Sequence, residues 1–345
     1  MVVSFMIIAV DAMGGDNAPG EIVRGCVQAL NEDDGFDILL LGDEAQIKEV
    51  LASEKYDESR IKIRHTTEVI TNDDMPTKAI KQKKDSSLVV GFNMIKQREA
   101  DVLISAGSSG ALLTGSVLIL KRIPGIDRPA VASVLPTKKG RVLLLDSGFN
   151  TMCRPNNYVQ FGFLGAAYLK AAFGDENPRV GLVNIGVEEE KGSDVVKEAH
   201  KLLKTSGLNY VGNIESREFF NDAADVLVTD GFTGNVMLKL IEGASDFFFG
   251  EIKSLFKKNF ISKLSYLMIK GGVGEFKKKV DPDVLGGAPV LGVDGLVVKS
   301  HGSSKARTIK YVILRAKALA KSNIIQALTD NFADVSARTE EPERE

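Results

Sequence analysis

Four short stretches hold most of the side chains able to do chemistry, and each joins glycine to small polar residues. They are Asp11-Ala12-Met13-Gly14-Gly15-Asp16-Asn17, Ser105-Ala106-Gly107-Ser108-Ser109-Gly110, Asp230-Gly231-Phe232-Thr233-Gly234-Asn235 and Ser300-His301-Gly302-Ser303-Ser304. Glycine turns let backbone N–H groups converge, and a helix starting directly afterwards adds partial positive charge, so such places bind anions. The hydroxyls of Ser105, Ser108, Ser109, Thr233, Ser303 and Ser304 and the Asn235 amide supply further neutral donors. Neutral donors suit an oxyanion or phosphate that must be held but not trapped. The first stretch has neither G-x-G-x-x-G nor G-x-x-x-x-G-K-[ST], so the standard nucleotide fingerprints do not apply.

Two charged residues stand beside these turns. His301 reads either as a donor to phosphate or a carbonyl oxygen, or as an ordinary turn residue. Lys191 follows Asn184-Ile185-Gly186 just past an apolar run. It is placed to neutralise phosphate, or equally to pair with Glu188, Glu189 and Glu190. His65 and His200 lack comparable surroundings. Asp73-Asp74 and Asp281-Pro282-Asp283 have no further group at metal-ligand spacing, so no metal site is expected. Cys153, beside Arg154, has no identifiable base and reads as a structural thiol. No nucleophile–base set is recognisable.

The elements that must position these residues repeat one pattern of apolar run, glycine turn and amphipathic helix. Runs at 7–10, 36–41, 102–104, 142–145, 180–185, 226–228 and 296–298 each end at such a turn. After Pro19, suited to a first helical turn, Ile22, Val23, Cys26, Val27 and Leu30 recur at helical spacing. The alternation predicts an α/β fold: a mostly parallel, doubly wound sheet in three αβα layers. Ligands then belong at the carboxyl ends of the strands, and the four turns are expected to gather at one end of one sheet.

The chain has 345 residues, 44% of them hydrophobic, with 44 basic against 46 acidic side chains. That is enough for a substantial core and leaves no nucleic-acid footprint. Two distant cysteines, Cys26 and Cys153, read as reduced thiols in a cytoplasmic protein. The first ten residues lack a basic segment, so no signal peptide is expected. Residues 102–120 are uncharged, but their glycines and serines favour a buried strand, turn and helix over a membrane span. Residues 1–328 are expected to form one catalytic domain and the acidic residues 329–345 a loose tail.

One stretch departs from the pattern. Between Asp246 and Lys279 stand eight lysines and three acids, a net charge of +5, interleaved with Phe247, Phe248, Phe249, Phe256, Leu264 and Leu267. It reads as an amphipathic helix or helical hairpin over 246–282, projecting from the sheet domain. One role is dimer formation or packing with a solvated face. The other is docking to an anionic membrane or acidic protein through Lys253, Phe256, Lys257, Lys258, Leu264 and Leu267.

Taken in order, the motifs resemble those of the bacterial phosphate acyltransferases (the PlsX family). The likeness runs from Ala9 to Pro19 through Lys83-Lys84-Asp85-Ser86-Ser87, Asn184-Ile185-Gly186, Asp230 to Val236, Gly287-Ala288-Pro289 and Lys299 to Ser304. It spans roughly residues 6 to 325. Two departures stand out: Ser108-Ser109 where the family commonly has Asn-Thr, and Asp146-Ser147-Gly148-Phe149-Asn150 where Asp-Val-Gly-Ala-Asn is usual. The second sets a bulky Phe149 near the expected cavity and bears on acyl-chain preference.

The resemblance implies a fold like isopropylmalate dehydrogenase and phosphotransacetylase, usually as a homodimer. It implies transfer of an acyl group from acyl-acyl carrier protein to inorganic phosphate, without a cofactor. The acyl phosphate would feed phosphatidic acid and phospholipid synthesis through a glycerol-3-phosphate acyltransferase. It further implies peripheral attachment to the inner face of the cell membrane. Lys191 and Asn235 match the positions proposed to act in catalysis. The remaining site residues expected to meet substrate are Asp11, Gly14, Gly15, Asp16, Asn17, Ser105, Gly107, Ser108, Ser109, Gly110, Asp230, Gly231, Thr233, His301, Gly302, Ser303 and Ser304. Rival readings are a phosphotransacetylase-like enzyme using acyl-coenzyme A, a dehydrogenase of similar fold, and a non-catalytic membrane or carrier-protein adaptor.

Overall fold

A computed structural model describes residues 6–280, 287–330 and 332. The acid pair at Asp281–Asp283, the tail from 333 onward and the side chains of Lys277, Lys278 and Lys279 lie outside the described residues.

Strands and helices alternate from the start. β1 (Ile7–Asp11), α1 (Gly20–Glu32), β2 (Asp37–Gly42), α2 (Glu44–Leu51) and β3 (Ile61–His65) open the chain. α3 (Pro76–Gln82), α4 (Ser87–Lys96), β4 (Val102–Ser105) and α5 (Ser109–Gly115) follow. Next come β5 (Ala130–Pro136), β6 (Arg141–Leu145), α6 (Pro155–Phe173), β7 (Val180–Asn184), α7 (Asp194–Thr205), β8 (Tyr210–Glu215) and β9 (Val226–Val228). α8 (Gly231–Lys257), α9 (Phe260–Val280), β10 (Ala288–Leu291), β11 (Leu296–Lys299) and α10 (Ala306–Lys321) close the chain. Residues 102–120 form a strand, a turn and short helical segments, and no helix among the described residues is long and apolar enough to cross a membrane.

All eleven strands form one sheet, in the order β3-β2-β1-β4-β11-β10-β5-β6-β9-β7-β8. β3, β2, β1, β4 and β11 are mutually parallel, and so are β6, β9, β7 and β8. Between these blocks lie three antiparallel steps, β11–β10, β10–β5 and β5–β6. An odd number of reversals turns one block against the other. The carboxyl ends of β1, β4 and β11 therefore lie at the opposite end of the sheet from those of β6, β9 and β7. The expectation of four turns at one end of one sheet is corrected here: three gather there, and the fourth, at Asp230–Asn235, does not.

Side-chain alternation along each strand sends residues to the two faces. One face carries a continuous core, with Val10, Ile104 and Val298 from the first block and Leu143, Leu145 and Val228 from the second. α1 seals it with Ile22, Val23, Cys26, Val27 and Leu30, all buried. Large apolar side chains buried this fully contribute roughly 1.5–3 kcal/mol each. The opposite face is divided. α4 and α5 cover the first block through Leu88, Phe92 and Leu112. α8 covers the second through Met237, Leu238 and Ile241. A seam remains between them, over the strands where direction reverses.

α8 is continuous from Gly231, so the boundary expected at residue 246 falls inside a helix. Its first turns pack on the sheet, and beyond them it runs into α9, with Phe247, Phe248, Phe260, Leu264 and Leu267 exposed.

Candidate active site

The three turns at the first block interlock. Asp11, the last residue of β1, is buried, and Ser105 Oγ donates to its Oδ2 at 2.7 Å. Met13 N–H donates to Asp11 Oδ1 at 3.2 Å, and Gly107 N–H to Ser105 Oγ at 3.0 Å. Asp16 N–H reaches Gly302 O at 2.8 Å, and Asn17 Nδ2 reaches Ser303 O at 3.1 Å and Ser304 O at 3.3 Å. Gly15 has φ +102°, and a Cβ there would stand 3.0 Å from both Ala106 and Gly302 O, so the turn needs glycine. Burial pushes the Asp11 carboxyl up, opposed by its hydrogen bonds from Ser87, Ser105, Met13 and Gly14.

The second block repeats the device. Asp146 follows β6 and is buried, accepting from Val131 N at 3.1 Å, Gly148 N at 3.1 Å, Asn150 N at 2.6 Å and Asn150 Nδ2 at 2.8 Å. Burial raises its carboxyl as well. Asp230 caps α8, accepting from Thr233 N at 2.8 Å and Thr233 Oγ1 at 2.9 Å. Gly234 lies so close that a Cβ would meet Asp146 O at 2.0 Å. At α10, Ala306 N–H donates to Glu21 Oε2 at 2.9 Å. Ser108 caps α5 through Ala111 N at 3.5 Å.

The glycine turns do converge on anions, but the anions are the protein's own carboxylates. Asp11 and Ser105 engage each other across two turns, and Ser108, Asp230 and Thr233 engage groups of their own turns, so all five help hold the turns in place. His301, Ser303, Ser109, Asp16 and Asn235 are exposed; Gly14 and Gly231 are buried, and Gly107, Gly110 and Gly302 partly so.

The Asp230–Asn235 turn reaches the other three through α8. A helix leaving β9 and packing back on the sheet runs toward the carboxyl ends of the opposed first block. Asn235, Lys239 and Glu242 stand at i, i+4 and i+7, one stripe of its surface. His301 Nε2 lies 2.9 Å from Glu242 Oε1 and 3.0 Å from Lys239 Nζ, while Lys239 Nζ donates to Glu242 Oε2 at 2.8 Å. Burial raises the Glu242 carboxyl, but the His301 and Lys239 hydrogen bonds outweigh it and hold the group at about 2. Lys299 joins this cluster from the end of β11. Burial lowers its ammonium, as does the Lys239 charge, with Glu242 opposing.

Lys239, Glu242 and Lys299 are absent from the sequence-based candidates. Lys299 had a signal: Ala9/Asp11, Leu103/Ser105 and Val297/Lys299 are equivalent pairs on three neighbouring strands, with Lys299 opposite Ser105 in register. Lys239 and Glu242 had none beyond their helical spacing from Asn235.

Lys191 lies past the end of β7, exposed, with no side-chain ion pair or hydrogen bond among the described residues. The acids before it do not hold it: Glu189 turns to Lys204 at 2.7 Å and lies 3.7 Å from His200. Its loop is fixed by Asn184 Nδ2, which donates to Lys191 O at 3.0 Å, and by Asn213 Nδ2, which donates to Glu188 O at 2.9 Å. His200, expected to be incidental, is buried beneath this loop with Nδ1 2.8 Å from Tyr210 OH and 3.2 Å from Asn213 Oδ1. Burial raises the Cys153 thiol to about 12, in keeping with a structural role. Phe149 packs against the α4–α5 core across the seam.

Comparison with known proteins agrees with this architecture. The family model described as "Fatty acid synthesis protein" matches residues 6–327. A phosphate acyltransferase of Acetivibrio thermocellus is 53% identical over 330 residues, covering 96% of this chain and 97% of that one. One from Alkaliphilus oremlandii is 46% identical, covering 96% and 98%. Among solved structures, a phosphotransacetylase from Streptococcus pyogenes superposes with a TM-score of 0.60 at 16% identity, covering 92% of this chain and 95% of that one. A branched-chain phosphotransacylase from Enterococcus faecalis gives 0.57 at 15%, covering 91% and 99%. At these identities the structural likeness concerns the fold.

Proposed function

We propose, since this chain belongs to the phosphate acyltransferase family and is an acyltransferase acting on phosphate, that its acyl donor is an acyl-acyl carrier protein and its product an acyl phosphate for phospholipid synthesis. Phosphate near neutral pH is already an anionic nucleophile. Its oxygen attacks the thioester carbon, a tetrahedral oxyanion forms, and the carbon–sulfur bond breaks. The phosphate's proton ends on the departing thiolate, so acyl phosphate and free thiol balance the reaction. Such a step needs orientation and oxyanion stabilisation more than a strong base.

The observation that carries this reading is the stripe of α8 that begins at Asn235, beside Gly148, and whose Lys239 and Glu242 meet His301 across the seam. It supports Asn235 as a donor to the thioester oxygen or phosphate. Lys191, without an ion pair among the described residues, lies past the end of β7, in the same block of strands as β9 and the Asn235 turn, and supports a charge held for phosphate or the oxyanion. The lysines of α8 and α9 favour an acidic carrier protein over acyl-coenzyme A. The same hairpin is the proposed contact with the inner face of the cell membrane, and the chain is proposed to act as a homodimer.

Mixing the protein with phosphate and palmitoyl-carrier protein, then trapping acyl phosphate as hydroxamate, tests the donor. Turnover at least tenfold higher in kcat/KM than with palmitoyl-coenzyme A is expected. Equal turnover, or preference for coenzyme A, overturns the carrier-protein assignment.

A further inference from the structure

Several backbone positions that could have cradled a phosphate are occupied from within. Asp11 takes Met13 N–H, Asp146 takes Gly148, Phe149 and Asn150 N–H, Glu21 takes Ala306 N–H, and Asp230 takes Thr233 N–H. The Asp16 carboxylate also stands beside Gly302, about where a Cβ on that glycine would lie 3.5 Å away. A second anion in the Gly14–Gly15 turn would meet a like charge and few free N–H groups.

The opposite imbalance exists one strand away. Lys239 meets Glu242 and His301, and Lys299 ends β11 two residues before His301, where the Lys239 and Glu242 charges act on its ammonium. Glu242 is already committed on both oxygens, Oε1 to His301 and Oε2 to Lys239. The nearest oxygen partner of the Lys299 ammonium is the Ser300 carbonyl at 3.5 Å, and it forms no ion pair among the described residues. Two lysines against one carboxylate leave a net positive charge where Lys299 and Glu242 are partly buried and Lys239 and His301 open to solvent. His301 adds a second imidazole nitrogen and Asn235, one turn back on α8, an amide.

We propose that Lys239, Lys299 and His301 form the seat of a phosphate group, and that Glu242 is a positioning residue holding Lys239 and His301 toward it. This deepens the acyl-transfer reading and rests on it for the role of that phosphate. The chemistry fits two sources, free inorganic phosphate or the phosphodiester of a phosphopantetheine arm. Two ammonium groups, and an imidazolium whose Nε2–H meets Glu242 and whose Nδ1–H is left to donate, match an anion with several acceptor oxygens, and charge-assisted bonds of this kind are the strong ones.

The test uses the full-length protein with Lys299→Met, Lys299→Arg, Glu242→Gln and, as a charge control, Lys310→Met on α10. Methionine replaces a half-buried unpaired charge with an apolar chain of similar length, so folding is expected to be retained. Inorganic phosphate titrated into wild type by calorimetry should bind, with affinity at least tenfold weaker in Lys299→Met and unchanged in Lys310→Met. In turnover, Lys299→Met should raise the phosphate KM tenfold or more, with donor KM within twofold and partial recovery in Lys299→Arg. Glu242→Gln should raise the same KM more modestly.

If instead the KM of both phosphopantetheine donors rises, while that of an acyl-N-acetylcysteamine thioester does not, the seated phosphate is the donor's phosphodiester. Unchanged phosphate binding together with unchanged KM values for phosphate and donor in folded Lys299→Met overturns the seat. A wild type that binds phosphate in a Lys299-dependent way yet makes no acyl phosphate would refute the acyl-transfer reading and leave the seat standing.

Discussion

Lys191 keeps its charge at the end of a loop fixed at several points. Asn184 and Asn213 hold the backbone, buried His200 lies against Asn213, and the neighbouring Glu189 is drawn away to Lys204. A cation presented by a braced loop orients a charged substrate without an ordering cost at each turnover. Lys191→Ala is therefore expected to lower kcat by about 10²–10³-fold, the usual loss when one transition-state donor is removed. Circular dichroism should match wild type, because the lysine side chain braces nothing. Equal turnover at matched folding rules out the role. At this scale the sequence located the turns but not their occupants. Gly14, Gly15, Gly231 and Gly234 mark strand ends and close approaches that glycine alone permits. Some of the groups that close these turns are local, as Asp146 with Gly148 to Asn150 and Asp230 with Thr233, but others come from far along the chain: Asp11 meets Ser105, and Glu21 meets Ala306. Local composition contains no record of the distant pairings, so a turn that can bind an external anion looks the same as one closed by a group from elsewhere in the chain.

Among the elements, α8 has three faces with separate tasks. Met237, Leu238 and Ile241 pack on the sheet, Asn235, Lys239 and Glu242 face the seam, and Phe232, Val236 and Leu240 point outward. Its apolar periodicity beyond residue 246 was legible, as was the pairing with a second helix. That one helix links the seam to the hairpin was not, because residues 231–235 read as a turn motif and 246 onward as a separate segment. In the hairpin, Phe256 lies 5.3 Å from Tyr266 between ring centroids, while Leu264 and Leu267 are exposed. Exposed apolar side chains interleaved with lysines favour an anionic lipid surface, by apolar insertion together with charge attraction. Replacing Phe256, Leu264 and Leu267 with Ser should abolish cosedimentation with vesicles containing phosphatidylglycerol, while turnover of soluble carrier-protein substrate stays within twofold. Vesicle binding equal to wild type rules out hairpin insertion.

For the whole molecule, the sheet's reversal decides what can meet. Apolar runs separated by glycine turns predicted parallel strands and covering helices, and nine of the eleven strands do fall into two parallel blocks. The antiparallel steps through β10 and β5 depend on which strands become neighbours, which no single run encodes. Their effect is a divided face, with α8 crossing from one block's strand ends toward the other's. The same course leaves the outer side of α8 uncovered: Phe232, Val236, Leu240 and Phe247 are 64%, 51%, 70% and 62% exposed. Beside them runs an apolar groove of about 680 Å³ lined by Phe219, Phe220, Met237, Leu240 and Phe248. Monomers seldom leave contiguous apolar surface of this kind open, and an isologous pair covers it by setting the same stripe against itself. Paired α8 helices would also fix the Asn235–Lys239–Glu242 stripe of each copy against its own seam. Sedimentation at micromolar concentration should show wild type at twice the chain mass and Leu240→Glu/Phe247→Glu at the mass of one chain. Loss of pairing should also lower activity, because an unbraced α8 holds Lys239 and Glu242 less firmly against His301. A wild type that sediments as a single chain, or a double variant that still pairs, would place the contact elsewhere or remove it.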